Sequence, residues 1–360
     1  MTRGRILEIG GYPPPRGGWT MRIEWLKKQL EIDGHECVVL NIGPNRMVPS
    51  PYYETVAGGW DFLAKVFRYS RRGFVAHTHV NGESPKGLLL ALAAQAVNLV
   101  CGRRPVVTFH AGTRQTLFPR ARAPHLAPLF WIVFRTARRV ICNSSAVKAM
   151  IVEYGVRPEK VMPIPAFTRQ YLDFCPATLT PALEQFLKRW DTPIFSYTRM
   201  LPTYYPDVLL EGFARIAARR AGACLILLGV SEDRDEALSL QWQRRVADLG
   251  LADRIFEVPG DDHDLFLTVM TRCRIYLRTH IADGVASSVL EALTLGVPVV
   301  ACDNGTRPPG VVTFAADSSA DLARKMEDTL DRRNEIAATM SRPAIGDTLA
   351  DEIAVLAGSR

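Results

Sequence analysis

Short apolar runs alternate with longer amphipathic segments along most of the chain. Runs rich in Val and Ile and bounded by turn residues are typical of buried strands. The first half has six such runs, at Arg5–Ile9, Glu36–Asn41, Phe74–Thr78, Pro105–Phe109, Arg139–Cys142 and Lys160–Ile164. The second half has six more, at Ile194–Thr198, Cys224–Gly229, Arg254–Val258, Arg274–Leu277, Pro298–Cys302 and Val311–Phe314. Segments with helical periodicity lie between them, for example Met21–Asp33, Pro85–Val100 and Ala127–Thr136.

Strand–helix alternation predicts parallel sheets that are covered by helices on both faces. The alternation breaks after Pro165, where Phe167–Pro193 is predicted to be a linker with one helix. We therefore predict an α/β protein with two doubly wound, Rossmann-like domains that face a cleft. The N-terminal domain spans residues 1–168 and the C-terminal domain residues 169–345. A C-terminal helical segment, 346–360, has the N-terminal domain as a candidate packing partner.

Several classes of protein are disfavoured by the sequence. The longest apolar stretch, Leu88–Cys101, has 14 residues, whereas a membrane span needs about 18–20. The first residues reach a glycine too early for the apolar core of a signal peptide. The seven cysteines are scattered without a C-x-x-C pair, which favours a reducing compartment over a disulfide framework or a cysteine-based zinc site. We expect a cytoplasmic protein.

Charge divides the chain in the same way as the strand pattern. Residues 1–170 carry a net charge of +14 and residues 171–360 a net charge of −7, which together give +7. So large an excess predicts that the first half meets anions, such as phosphates, acidic lipids or nucleic acid, unless it is a solvated basic face. Nucleic acid is disfavoured because no nucleic-acid-binding motif accompanies the charge.

Part of the positive charge lies on a predicted basic amphipathic helix over Trp60–Arg72. Its apolar face would consist of Phe62, Leu63, Val66 and Phe67, beside the basic residues Lys65, Arg68, Arg71 and Arg72. A second basic stretch, Arg114–Arg122, follows the fourth strand. We predict that this domain docks on an anionic membrane, at its inner face, or binds an anionic lipid acceptor. The alternative is that the helix packs its apolar face on its own sheet.

Ligands of doubly wound sheets bind beyond the carboxyl ends of the strands. After the first strand, Gly17 and Gly18 open a helix whose N–H groups can approach a phosphate or a sugar, unless the pair is only a turn. The spacing is not the G-x-G-x-x-G of dinucleotide folds, which disfavours NAD. His110 follows the fourth strand and is either a ligand-facing residue or a structural strand cap. For His77 and His79, on the third strand, we favour structural roles.

Further candidates follow strands of the second half. Arg199 follows the first of these strands and is either a diphosphate ligand or a partner in an interdomain salt bridge. Asp283 lies in a loop before a helix that begins near Ser287, and Glu291 lies about one turn into that helix. Two carboxylates beside a helix N-terminus predict a site for sugar or ribose hydroxyls and for phosphate. The alternative is that Asp283 caps the helix and Glu291 is solvated.

Together these motifs resemble glycosyltransferase family 4, whose members have the GT-B fold. The matching features, in the family's order, are Gly17-Gly18, Thr108-Phe109-His110-Ala111, Arg199, Asp283-x7-Glu291 and Gly296-Val297-Pro298-Val299-Val300. The resemblance implies a retaining, metal-independent glycosyltransferase that uses a nucleoside-diphosphate sugar, with a UDP-sugar favoured. It implies a lipid-linked or saccharide acceptor in cell-surface polysaccharide or glycoconjugate assembly, and no cofactor besides the donor substrate.

The resemblance also implies a role for each matching residue. Glu291 would bind the ribose hydroxyls, and Asp283 would bind the 3- and 4-hydroxyls of the transferred sugar. The donor's phosphates would be held by Gly17, Gly18, Arg199, Arg278, Ser287 and Ser288. His110 would orient the reacting sugar and stabilise developing charge, which makes His110, Asp283 and Arg199 the expected catalytic residues.

Some positions depart from the family pattern. Asp283 stands where the family has a glutamate, and Tyr204 stands where it has a phosphate-binding lysine. Arg278 and Arg307 are candidates to replace that lysine. The departures predict a divergent branch that resembles polysaccharide-assembly enzymes. They also keep two alternatives open, a nucleotide-sugar epimerase and a non-catalytic nucleotide-sugar-binding protein.

Overall fold

The computed structural model describes residues 3–14, 17–112, 115, 117–118, 120–230, 234–260, 262–281 and 286–358. The chain divides into two compact units, the first formed by residues 1–169 with 346–360 and the second by residues 170–345. These limits lie within one residue of the domain boundaries predicted from the sequence. Each unit is built on a six-stranded parallel sheet, so the prediction of an α/β protein with two Rossmann-like domains is confirmed.

The first unit contains the strands that alternate with the helices of the basic half. The strands are β1 (Arg5–Gly10), β2 (Glu36–Asn41), β3 (Val75–Val80), β4 (Val106–Phe109), β5 (Arg139–Cys142) and β6 (Val161–Pro163). They are ordered β2-β1-β3-β4-β5-β6, and every neighbouring pair is parallel. The helices are α1 (Gly18–Ile32), α2 (Gly59–Arg71), α3 (Pro85–Val100), α4 (Ala127–Thr136) and α5 (Ser145–Val152). The continuous apolar runs fit strands that are covered on both faces.

The second unit repeats this plan with a different strand order. Its strands are β7 (Thr192–Tyr197), β8 (Ala223–Leu228), β9 (Ile255–Val258), β10 (Ile275–Arg278), β11 (Val299–Cys302) and β12 (Val311–Phe314). They are parallel and ordered β12-β11-β10-β7-β8-β9. The helices are α6 (Pro181–Arg189), α7 (Pro206–Arg219), α8 (Glu236–Asp248), α9 (His263–Arg272), α10 (Ser287–Thr294), α11 (Ser319–Asp331) and α12 (Arg333–Thr339). Successive strand residues, such as Ile194 and Phe195, enter different core clusters, as the period of two requires.

The last helix, α13 (Thr348–Leu356), belongs to the first unit. Leu349 and Val355 of α13 lie in one core cluster with Ile6 of β1 and Leu26 of α1. The predicted helical segment therefore packs on the sheet formed by the start of the chain.

A buried ion pair joins α13 to α1. Arg22 and Glu352 lie 2.6 Å apart (Nη2 to Oε2), and their side chains are 1% and 2% exposed. Arg22 also donates to the carbonyl oxygen of Thr348 over 2.7 Å and to its hydroxyl over 3.0 Å. Burying charges is costly unless they are paired and hydrogen-bonded, and this site meets both conditions.

The basic helix α2 packs part of its predicted apolar face on the first sheet. Phe62 and Val66 are buried in a core cluster with residues of β1 and β2, as in the alternative to membrane docking. Phe67 and Trp60 are 46% and 88% exposed. No helix among the described residues is long and apolar enough to span a membrane.

Some of the basic side chains near α2 are paired with acids. Lys65 lies 2.9 Å from Asp61, and Arg68 lies 2.9 Å from Glu54. The second predicted basic stretch is described in part, because Arg114 lies outside the described residues. The excess positive charge of the first unit is therefore partly neutralised at α2.

We expect Glu352→Ala to destabilise the first unit by about 3–5 kcal/mol, because it leaves the buried guanidinium of Arg22 without its counter-charge. Urea unfolding at neutral pH measures the loss. As a control, Asp328→Ala removes an exposed partner of Arg324, 3.5 Å away, and is expected to cost less than about 1 kcal/mol. Equal effects of the two variants would contradict the role given to the buried pair.

Candidate functional site

Each sheet has one point at which the chain reverses the direction in which it adds strands. In the first unit this switch point lies between β1 and β3, and in the second unit between β7 and β10. Doubly wound sheets bind ligands beyond the carboxyl ends of the strands at the switch point. The residues that follow these strands therefore define a candidate site in each unit.

Glycines shape the loop after β1. A Cβ at Gly10 would lie 2.3 Å from the terminal methyl of Ile23 on α1 and 3.3 Å from the Cβ of His79, so a larger residue would have to displace Ile23. Gly17 is the N-cap of α1, and its N–H donates to the hydroxyl of Thr20 over 2.9 Å. A Cβ at Gly18 would meet no atom within 4 Å. The backbone at Gly18 is thus open to close approach by a ligand.

A carboxylate is buried between two histidines of the first sheet. Glu8 on β1 is fully buried, as are His77 and His79 on the adjacent strand β3. Oxygens of Glu8 lie 2.9 Å from Nδ1 of His77 and 2.7 Å from Nε2 of His79. Nδ1 of His79 in turn lies 2.8 Å from Nε2 of His110, which follows β4. The predicted site residue His110 is therefore linked to Glu8 through His79.

The other side of His77 leads to the C-terminal helix. Nε2 of His77 lies 2.7 Å from the hydroxyl of Thr108, which donates to Oε1 of Glu352 over 2.9 Å. Glu352 is the partner of Arg22 described above. One run of polar contacts therefore extends from α1 and α13 through β4, β3 and β1, and ends at His110.

The burial and charge of these groups set their protonation. Burial would raise the pKa of Glu8, but the charge of His77 and hydrogen bonds from both histidines lower it to about 2. Desolvation opposes the protonation of His77, yet attraction to Glu8 and Glu352 raises its pKa. Burial, together with the charge of His77, lowers the pKa of His79. Burial and the neighbouring basic groups also lower the pKa of His110 well below its usual value.

Glu8, His77 and His79 are also the one group of described residues whose ligand-type atoms are close enough to hold a metal ion, all within 4.8 Å. The ring nitrogens of His77 and His79 lie 2.9 and 2.7 Å from oxygens of Glu8, which are hydrogen-bond distances. Two ligands of one tetrahedral zinc, each about 2.0–2.2 Å from the metal, would stand roughly 3.3–3.6 Å apart. The cluster therefore has the geometry of a hydrogen-bonded network.

In the second unit, the predicted carboxylate Glu291 lies on α10 and is 4% exposed. Its Oε1 lies 2.9 Å from Nε2 of His263, the first residue of α9. The ring of His263 lies nearly parallel to that of Phe266, with centroids 6.3 Å apart. Glu291 is thus a buried residue held by a histidine, and the solvated alternative for it does not hold. No hydrogen bond from the described residues reaches its Oε2.

Two of the predicted arginines meet at Tyr197, the last residue of β7. Arg199 donates from Nε to the Tyr197 hydroxyl over 3.2 Å. Arg278, which ends β10, donates from Nη1 to the Tyr197 carbonyl over 3.4 Å. The guanidinium carbon of Arg278 lies 5.5 and 5.4 Å from the ring centroids of Tyr197 and Tyr204. Arg199 and Arg278 therefore share Tyr197 as a partner beside the switch point of the second unit.

Tyr204, which stands at the lysine position of the family pattern, is part of the same cluster. It is buried, and its ring stacks on that of His280 with centroids 4.1 Å apart. Arg307, the second candidate to replace the lysine, donates to the carbonyl oxygens of His280 and Cys302 over 2.7 and 3.0 Å. Arg278 is thus the cation between the aromatic rings, whereas Arg307 braces the ends of β10 and β11.

The remaining predicted residues surround the start of α10. Ser287 and Ser288 are its first residues, and Ala286 precedes them without a side-chain cap. The first N–H groups of a helix have no acceptor within the helix, which keeps this end a candidate for phosphate. Asp283 lies outside the described residues, so its place stays a prediction.

Glu8, Arg22, Glu352 and His263 belong to these clusters and were not predicted from the sequence as site residues. A carboxylate inside the apolar run of β1 was a usable signal for Glu8, because such a residue needs a buried partner. The other three are ordinary residues of amphipathic helices until the fold places them beside their partners.

Two family profiles match the chain. The profile described as Glycosyl transferases group 1 matches residues 185–342, and that described as Glycosyltransferase Family 4 matches residues 17–168. No curated protein matches the sequence significantly.

Solved structures share the fold over nearly the whole chain. HepE from Anabaena, in complex with UDP, is 15% identical, with a TM-score of 0.65 over 99% of this chain and 100% of its own. Sucrose-phosphate synthase from Thermosynechococcus elongatus is 16% identical, with a TM-score of 0.70 over 99% and 98%. A putative UDP-N-acetylglucosamine 2-epimerase from Listeria monocytogenes is 15% identical, with a TM-score of 0.67 over 99% and 97%. These similarities establish the GT-B fold.

The buried network predicts how stability depends on pH. Because the pKa of Glu8 is about 2 when folded against a usual 4.5, the ionised form stabilises the first unit by roughly 3 kcal/mol above pH 4.5. This contribution is lost as the pH falls from 4.5 towards 2. Glu8→Gln is expected to be less stable at neutral pH but to lose less stability over that range, because residue 8 no longer titrates. Urea unfolding at a series of pH values measures this, and parallel curves for the two proteins would contradict it.

Proposed function

We propose a donor, a site and a reaction for this chain, which belongs to the GT-B glycosyltransferases related to family 4. The proposed reaction transfers a sugar, with retention of its anomeric configuration, from a nucleoside-diphosphate sugar. The favoured donor is a UDP-sugar. The proposed acceptor is a lipid-linked or saccharide molecule of cell-surface polysaccharide or glycoconjugate assembly, and the proposed location is the cytoplasm.

The observation that carries the proposal is the set of polar groups at the switch point of the second unit. Oε2 of the buried Glu291 accepts no hydrogen bond from the described residues, and a carboxylate oxygen accepts well from a ribose hydroxyl. Arg199 and Arg278 both contact Tyr197, the first at its hydroxyl and the second at its carbonyl oxygen, and guanidinium groups suit a diphosphate because they donate two hydrogen bonds at once. The UDP bound to HepE supports the same class of ligand.

Arg278 is proposed to take the part of the lysine that Tyr204 displaces. Its guanidinium lies against the rings of Tyr197 and Tyr204, and a cation next to aromatic faces is stabilised and oriented before the ligand arrives. The aromatic cluster thus supports a phosphate contact from the end of β10.

Catalysis is proposed to rest on positioning and electrostatic stabilisation, without a bound metal ion. The charge of the leaving diphosphate would be met by Arg199, Arg278 and the N–H groups at Ser287 and Ser288. Asp283 would bind the transferred sugar, and His110 would support the reacting centre. Gly17 and Gly18 of the first unit would allow close approach of the backbone to the donor, which the open space at Gly18 supports.

A nucleotide-sugar epimerase is the second candidate, because a putative epimerase has the same fold at the same level of identity. An epimerase converts the donor without an acceptor, whereas a transferase consumes it only slowly by hydrolysis. Incubating the protein with UDP-sugars alone, and with a panel of acceptors, separates the two. Nucleotide binding without turnover in either assay would identify a non-catalytic binding protein.

Glu291→Gln is expected to weaken the binding of free UDP about tenfold, because a charged hydrogen bond to ribose is worth roughly 1.5–3 kcal/mol. Asp283→Asn is expected to leave free UDP binding unchanged and to slow sugar transfer. Isothermal titration calorimetry with UDP and with UDP-sugars measures both. Glu236→Gln, at the start of α8 in the same unit, is the matched control. Unchanged affinity in Glu291→Gln would refute the donor site.

We also propose that the first unit docks reversibly on an anionic membrane. The proposal is supported by the charge of +14 over residues 1–170 and by the exposure of Trp60 and Phe67 on α2. A basic residue near an anionic leaflet contributes about 1 kcal/mol. We expect flotation with phosphatidylglycerol vesicles at low salt, its loss at high salt, and its reduction in Trp60→Ser/Arg71→Glu. Equal recovery with neutral and anionic vesicles would leave a soluble acceptor as the better proposal.

A further inference from the structure

The hydrogen bonds from Glu8 to His110 form a line through His79. The two bonds are 2.7 Å (Glu8 Oε2 to His79 Nε2) and 2.8 Å (His79 Nδ1 to His110 Nε2). The rings of His79 and His110 are 13° from parallel, with centroids 5.1 Å apart, which places the bond between them close to both ring planes. This is the geometry of a directed N–H···N hydrogen bond.

The direction of each bond follows from the carboxylate. An ionised carboxylate accepts hydrogen bonds and donates none, so Nε2 of His79 must carry the hydrogen that points at Glu8. In a neutral imidazole the second nitrogen is then an acceptor. Nδ1 of His79 therefore accepts, and Nε2 of His110 must donate. This leaves Nδ1 of His110 without a hydrogen.

The other charged groups around the line agree with this assignment. His77 lies on the far side of Glu8 and gives it a second hydrogen bond, which keeps the carboxylate ionised. Burial and the nearby charge of His77 lower the pKa of His79, so His79 stays neutral at neutral pH. Arg22 and Glu352 complete the surroundings as an ion pair.

We propose that Glu8 and His79 are positioning residues that hold His110 in the tautomer with hydrogen on Nε2, so that Nδ1 accepts a hydrogen bond from a hydroxyl of the bound sugar. His110, which is partly exposed, would then recognise the substrate as a neutral acceptor and not as a cation. The identity of the ligand as a sugar rests on the function proposed above, whereas the tautomer does not.

Nitrogen-15 NMR of the histidine rings tests the tautomer without a substrate. At about pH 8.5, where ordinary imidazoles are neutral, wild-type His110 is expected as one tautomer with hydrogen on Nε2. The exposed His125 provides a reference for an unconstrained ring in the same spectrum, and His110→Gln assigns the signal. A hydrogen on Nδ1 of His110, or a mixture like that of His125, would overturn the proposal.

A pair of variants tests the part played by His79. His79→Leu removes the acceptor of the His110 hydrogen and is expected to lower the Nε2–H to Nδ1–H ratio at least about fivefold, towards that of His125. Thr108→Val is the matched control, because it cuts the network on the far side of His77 and leaves the line to His110 intact. A mixture of His110 tautomers in Thr108→Val would contradict the proposal. A single Nε2–H tautomer of His110 in folded His79→Leu would contradict it as well. If His79→Leu does not fold, the tautomer of His110 in the wild-type spectrum tests the proposal by itself.

A kinetic measurement separates this proposal from the proposed function. His79→Leu is expected to lower kcat for sugar transfer about tenfold or more while the affinity for free UDP stays within about twofold. If UDP does not bind to the wild type, the proposed function fails and the NMR result stands by itself. If UDP binds and kcat is unchanged in His79→Leu, the positioning role fails and the proposed function stands.

Discussion

The buried carboxylate of Glu8 must be paired and hydrogen-bonded, and several elements of the first unit supply its partners. It lies in the middle of a parallel sheet, fully buried, where an unpaired charge would be prohibitively costly. Its stability depends on the charged His77 and on hydrogen bonds from both histidines of β3. His77 in turn needs an anion on its other side, and Glu352 of α13 supplies one through Thr108.

This charge balance explains why the end of the chain belongs to the first unit. Two anions, Glu8 and Glu352, and two cations, His77 and Arg22, are buried together, so that the network is close to neutral as a whole. Removing α13 would leave two buried cations beside one anion. The packing of Leu349 and Val355 therefore holds in place a residue that the electrostatics of the sheet require, although it lies 330 positions from its partner Arg22.

The fold could be predicted from the sequence more completely than the site. Each predicted strand corresponds to an observed one, because a buried parallel strand needs a continuous apolar run and this requirement is local. The predicted strand ends also placed Arg199 after β7, beside the switch point of the second unit, and His110 after β4, the strand next to β3. Glu8 could have been suspected as a lone carboxylate in an apolar run. Its partners could not, because hydrogen bonds across β1 and β3, or between α1 and α13, depend on register and packing that no local pattern specifies.

Tyr204 is a second case in which the sequence alone did not reveal a residue's surroundings. Comparison with the family pattern shows Tyr204 in place of a phosphate-binding lysine, and therefore one cation fewer for the donor's phosphates. The structure shows that the ring of Tyr204 stacks on His280 and flanks Arg278. The loop that carries it ends at Tyr205, whose φ of 49° is the one positive value at a non-glycine residue among those described. Such strain persists where surrounding structure enforces it. The ring contacts of Tyr204 make it part of a cluster around the Arg278 cation.

The net charge of each half says little about the charge of its site. Residues 1–170 carry +14, yet the groups at the switch point of the first unit balance one another and end in a histidine whose pKa is lowered by burial. Residues 171–360 carry −7, yet two arginines contact Tyr197 beside the switch point of the second unit. Exposed charges are screened within about 10 Å, whereas groups buried among their partners act strongly over hydrogen-bond distances. The chemistry of each site is therefore set by its buried neighbours. The surface charge of the first unit instead affects which external partners, such as anionic membranes, it attracts.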